Sequence, residues 1–145
     1  RNGSLRRPVA LSPTSAMTTR PRVLVLHGPN LSLLGEREPG IYGHTTLSEL
    51  NAALVALGEE LGVAVDCVQS NSEGGLIDVL IGGRELYRGI VFNPAGYTHT
   101  SVALQDTLRA LSLPVIEVHM SNLWARVGDG GDFRGRSITG VAAAG

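Results

Sequence analysis

Arg22-Val23-Leu24-Val25-Leu26-His27 runs straight into Gly28-Pro29-Asn30. A short apolar run, with Pro21 before it and a glycine-proline-asparagine turn after it, predicts a buried strand of a parallel sheet. The same texture returns at residues 63–68, 89–93 and 114–118. Helical patterns fill the gaps between these runs. Glu49 follows Thr46 at capping-box spacing, and Leu47, Leu50, Leu54, Leu57 and Leu61 form a stripe that Gly62 ends. Leu76, Ile77, Leu80 and Ile81 give a second apolar face, weakened by Gly82-Gly83. Residues 101–111 make the third helix. The order βαβαβαβ, with crossovers long enough to be helices, predicts an α/β domain whose parallel sheet is covered on both faces.

Outside this frame the texture changes. Residues 1–20 are rich in arginine, serine, proline and threonine and read as a disordered tail. Met17 is a natural start, with residues 1–16 an extension or added sequence. Residues 21–145 are expected to form one domain. Residues 31–45 are a long loop, a length more often functional than idle. Residues 119–136 are polar and glycine-rich, and residues 138–145 are too few to complete another strand and helix. The last unit of the sheet is therefore expected to be truncated or altered.

Composition removes whole classes of chemistry. Hydrophobic residues make up 43% of the 145, which argues against disorder throughout. All 12 basic residues are arginine, so no lysine imine can form with a carbonyl substrate, no internal lysine can hold PLP, and no Walker A lysine exists. Net charge is −1, and three of the arginines (Arg1, Arg6, Arg7) lie in the first ten residues. Nothing drives the chain toward nucleic acid or an acidic membrane. No apolar run approaches the ~18 residues of a membrane span. A single cysteine, Cys67, excludes an internal disulfide, reads as a small core residue, and fits a reducing, cytoplasmic compartment. No HxxxH, CxxC or GxGxxG pattern is present, so no metal or dinucleotide is expected.

Ligands of open α/β sheets bind beyond the carboxyl ends of the strands. Those ends are unusually polar here: 27–30, 69–71, 93–101 and 117–122. Glu117 and His119 share one side of the fourth strand, and a carboxylate beside an imidazole fixes its tautomer, so His119 is a candidate general acid or base. The plainer alternative is a histidine capping the next turn. Arg37 and Tyr42 share the long loop, and an arginine beside a tyrosine favours the phenolate, a usable base. A solvated charge cluster would look the same. Arg134 and Arg136 could clamp a carboxylate or simply face water.

The segments HGPNLSLLGEREPGIYG (27–43), QSNSEGGLID (69–78), FNPAGYTHTSVALQDTL (92–108) and EVHMSN (117–122) resemble type II 3-dehydroquinate dehydratase. The resemblance implies a flavodoxin-like three-layer αβα sandwich and a cofactor-free, metal-free elimination. Water leaves 3-dehydroquinate in the anti sense, giving 3-dehydroshikimate in the shikimate pathway. It implies Tyr42 as the base at C2, with Arg37 favouring its phenolate, and Asn30 stabilising an enolate through an ordered water. His119, oriented by Glu117, would protonate the departing C1 hydroxyl. Asn93, His99 and Arg134 would position the substrate, and the backbone amides of Met120 and Ser121 would hold its carboxylate. Asp106 would reach a neighbouring subunit's site in a dodecamer, a tetramer of trimers. The chain departs from the family pattern at His27 (usually asparagine), Gln105 (commonly arginine), Trp124 (histidine) and a longer stretch at 127–132. A non-catalytic homologue that binds shikimate-type ligands, or a lyase or isomerase of a related cyclic hydroxy acid, stays open at this point.

Overall fold

The computed structural model describes residues 20–36, 40, 43–122 and 137–142. Four parallel strands, β1 (Arg22–His27), β2 (Ala64–Gln69), β3 (Gly89–Asn93) and β4 (Val115–Glu117), lie in the order β2-β1-β3-β4. Three helices connect them: α1 (Leu47–Leu61), α2 (Glu73–Gly83) and α3 (Val102–Ala110). The first crossover steps one way from β1 and the next two step the other way. Right-handed connections then put α1 on one face and α2 and α3 on the other. This is the flavodoxin-like αβα arrangement, and it brings all four carboxyl ends to one end of the sheet.

Local chemistry sets the helix starts. Thr46 accepts from the Glu49 N–H while the Glu49 carboxylate accepts from the Thr46 N–H, a complete capping box. Ser72 and Ser101 cap α2 and α3 through their hydroxyls. Gly62 ends α1 in the left-handed region at φ 73°, which glycine adopts without penalty.

Leu24 and Leu26 of β1, Ile90 and Phe92 of β3 and Val115 of β4 point to one face. There they meet Leu76 and Leu80 of α2 and Leu104 and Leu108 of α3, all at most 2% exposed. Alternation along each strand puts Glu117, paired with Phe92, on this same face. The opposite face is covered less completely. Gly58 lies where a Cβ would fall 2.5 Å from the Val65 side chain, so α1 seats closely on edge strand β2. That seating turns part of the predicted stripe outward: Leu57 is 49% and Leu61 69% exposed. Ile116 of β4 (49%) and Val118 just after it (39%) are also exposed, so among the described residues the sheet is fully covered on one face only.

Three boundaries differ from the sequence expectation. β2 begins at Ala64 because the Val63 N–H closes α1 on the Gly58 carbonyl. β4 is shorter because Pro114 has no N–H to give, although its carbonyl accepts from Ile90 and the Val118 N–H still reaches Phe92. α2 continues through Gly82-Gly83, where the bare Cα of Gly83 makes room for the Tyr87 ring. Cys67 is half-buried on the edge strand rather than in the core, and burial followed by the neighbouring Asp66 pushes its thiol up. After β4 the next described element is a 3-10 turn, Thr139–Ala142. No helix among the described residues is long and apolar enough to cross a membrane.

Candidate active site

The strand ends are stitched into one surface. The Gly28 N–H donates to the Asn93 carbonyl at 2.7 Å, and a Cβ on Gly28 would fall 2.6 Å from the Pro94 carbonyl oxygen. Only glycine permits that approach. Asn30 sits at φ 66°, a left-handed conformation that asparagine tolerates better than most side chains, and its N–H donates to Asn71 Oδ1. The same oxygen accepts from the Gln69 amide, and the Tyr97 hydroxyl donates to the Asn71 carbonyl. Asn93 is 7% exposed and its Oδ1 accepts from the Ala95 N–H. His27, 4% exposed, bonds Asn51 Oδ1 at 2.9 Å and so ties the end of β1 to α1. Burial lowers its pKa, and the Asn51 bond only partly opposes that.

The charged centre lies beyond β4. Glu117 has a side chain only 3% exposed and His119 one 17% exposed, with His119 Nε2 at 2.6 Å from Glu117 Oε1. Oε1 also accepts from the hydroxyls of Thr98 (2.5 Å) and Ser137 (2.8 Å), and Oε2 accepts from Thr139 (2.6 Å). Four donors converge on one carboxylate, three on Oε1 and one on Oε2. Burial is the largest single influence and pushes the carboxyl up. The hydrogen bonds from His119, Thr139, Thr98 and Ser137 together outweigh it, and the net direction is down. An ionised carboxylate only accepts, so Nε2 of His119 carries a proton and Nδ1 is the nitrogen left to exchange one with a ligand.

Of the predicted residues, the structure brings together Asn30, Asn93, His99, Glu117, His119, Met120 and Ser121 at this end of the sheet. His99 closes the 3-10 turn Ala95–His99, next to Thr98. Met120, 49% exposed, and Ser121 follow His119 directly. Asp106 lies apart, on the exposed side of α3 between the buried Leu104 and Leu108. Arg37, Tyr42, Trp124, residues 127–132, Arg134 and Arg136 lie outside the described residues, as do residues 1–19. Among the described residues no group of three or more His, Cys, Asp or Glu side chains could hold a metal ion. Sequence reasoning missed Thr98, Ser137 and Thr139. In the sequence a threonine after a strand reads as a turn residue, and nothing local says that residues 137–139 return to it.

The profile of the family described as dehydroquinase class II matches residues 21–145. The 3-dehydroquinate dehydratase of Desulforudis audaxviator (strain MP104C) is 54% identical over 124 residues, covering 86% of this chain and 80% of that protein. The crystal structure of type II dehydroquinase from Butyrivibrio crossotus DSM 2876 superposes with a TM-score of 0.81 at 38% identity, over 87% of this chain and 86% of that one. That of the type II dehydroquinase from Propionibacterium acnes gives 0.79 at 40%, over 86% and 83%. Sequence, fold and the polar ends of the four strands agree, and the chain belongs to the class II dehydroquinase family.

Proposed function

We propose that His119, held by Glu117, is the general acid in the reaction of this chain's family, the dehydration of 3-dehydroquinate to 3-dehydroshikimate. The observation that carries the reading is the 2.6 Å pair between a carboxylate with four donors and an imidazole at the carboxyl end of the sheet. Hydroxide is a poor leaving group, so the C1 hydroxyl must receive a proton as it departs, and His119, doubly protonated with Nε2–H on Glu117, gives it from Nδ1. The base at C2 is Tyr42, with Arg37 stabilising its phenolate. Proton loss leaves an enolate, which Asn30 stabilises through an ordered water. Asn93, His99 and Arg134 position the ring, and the amides of Met120 and Ser121 hold the carboxylate. No step in this sequence calls on a metal or cofactor.

The working form is a homo-oligomer, a dodecamer built as a tetramer of trimers, acting in the cytoplasm. The exposed Val55, Leu57 and Leu61 of α1 offer apolar surface for subunit contact, and the outward Asp106 serves a neighbouring subunit's site.

The test is the rise in ultraviolet absorbance of the conjugated enone when purified protein meets 3-dehydroquinate with chelator present. Tyr42→Phe is expected to keep substrate binding and lose nearly all turnover. His119→Ala is expected to slow loss of the C1 hydroxyl more than exchange of the C2 proton. No absorbance rise from folded protein would refute the dehydratase reading, and equal slowing of both steps would refute the division of roles.

A further inference from the structure

Three hydroxyls converge on Glu117 from two distant segments. Thr98 belongs to the 3-10 turn after β3, and Ser137 and Thr139 lie 39 and 41 residues further along. Thr98 and Thr139 are both wholly buried, where a hydroxyl without a partner is costly. A threonine with a purely local role bonds its own helix, as Thr107 does to the Ala103 carbonyl. These three do not. Each has one proton to give, and each gives it to Glu117. The Ser137 oxygen additionally accepts the Gly140 N–H at 2.7 Å, which holds that hydroxyl in place beside the carboxylate. The Ile138 N–H donates to the Thr98 carbonyl at 2.6 Å and clamps the returning segment in place.

We propose that Thr98, Ser137 and Thr139 are positioning residues for the dehydration: together they hold Glu117 as an anion in one orientation and through it fix the ring of His119. The proposal rests on the general-acid reading of His119. Its physical content is a competition. A carboxylate sealed this far from water would otherwise take up a proton, and a protonated Glu117 could donate to His119 Nε2, leaving a neutral imidazole in place of the doubly protonated ring that an anionic Glu117 supports for acid catalysis. The hydroxyls never touch the substrate. They decide which nitrogen of His119 faces it and down to what pH that arrangement survives.

The test compares Thr139→Val, Thr139→Ser, Gly140→Ala and Glu117→Gln with the parent protein in steady-state turnover of 3-dehydroquinate across pH. Valine keeps the shape of threonine and removes the hydroxyl. The expected result is a fall in kcat of about tenfold with KM changed less than about twofold, as for one lost charge-assisted hydrogen bond acting through another residue. The acid limb of the kcat profile should also move up by about half a pH unit, because a carboxylate short of one donor protonates sooner. Thr139→Ser should restore both. Gly140→Ala should reproduce the limb shift with every hydroxyl retained, since the new Cβ would fall 2.5 Å from Ser137 Oγ. It supplies the answer if Thr139→Val does not fold. A structural role alone would lower thermal stability and leave the limb where it was. An unmoved limb in the folded variants, with Glu117→Gln crippled, would overturn the positioning role while sparing the general-acid reading. A fully active Glu117→Gln would overturn that reading and the proposal with it.

Discussion

Glu117→Gln is the most searching perturbation of the fold itself. The native carboxylate accepts four hydrogen bonds at 2.5 to 2.8 Å with its side chain 3% exposed. Glutamine supplies one acceptor oxygen and one NH2. With the amide oxygen in the place of Oε1, three donors stay bonded but lose the charge that strengthened them, a loss of about 1 kcal/mol each. The NH2 then faces Thr139, whose hydroxyl must turn away toward Thr98. Against this, the variant no longer keeps a charge away from water. The expected balance is a loss of about 2 kcal/mol at pH 7, or a melting temperature about 6 °C lower in a domain of this size. The pH dependence carries the sign. The folded pKa of Glu117 lies below its ordinary value of 4.5, so its contribution is complete above that value and disappears as pH falls through the folded pKa. Thermal scans of both proteins should show a constant gap at pH 6 and above, narrowing once the medium is more acidic than 4.5. Coincident melting at neutral pH, or a gap that persists unchanged in acid, would refute the reasoning.

Two other substitutions probe the scaffold. Gly28→Ala puts a Cβ 2.6 Å from the Pro94 carbonyl oxygen, a backbone atom that cannot swing aside. It should cost about 3 kcal/mol in urea unfolding and depress turnover as well, because Asn30 and Asn93 flank the displaced contact. His27 resists protonation when folded, so stability should be full above its ordinary value of 6.5 and fall below it, by up to about 1.4 kcal/mol per pH unit. His27→Gln should flatten that slope between pH 6.5 and 5, measured as urea midpoints, and an unchanged slope would remove His27 as its source.

The legible parts of this fold are those written in local chemistry. Thr46 with Glu49 and Gly62 announce the two ends of α1 within a few residues, and the three crossovers followed from counting the apolar runs. The Glu117–His119 pair was readable because a strand puts positions two apart on one side. What stayed hidden depends on contacts between distant positions. The seating of α1 on Val65 through Gly58 decides which leucines face water, and a stripe alone does not reveal the angle at which it lands. Gly83 looked like a helix breaker because the ring it admits, Tyr87, lies beyond the helix. Thr98, Ser137 and Thr139 have no shared spacing that marks them as a group, and only the folded chain assembles them.

The return of residues 137–139 to Thr98 also orders events during synthesis. Every strand among the described residues, and every described helix that packs against them, is complete by Glu117, so this hydrophobic interior can consolidate before residues 137–139 leave the ribosome. Until Thr139 emerges, Glu117 keeps only some of its donors and remains open to water. The shelter around its charge therefore closes last, after the interior is already made, and a nascent chain has the shape of its family before it has a finished centre.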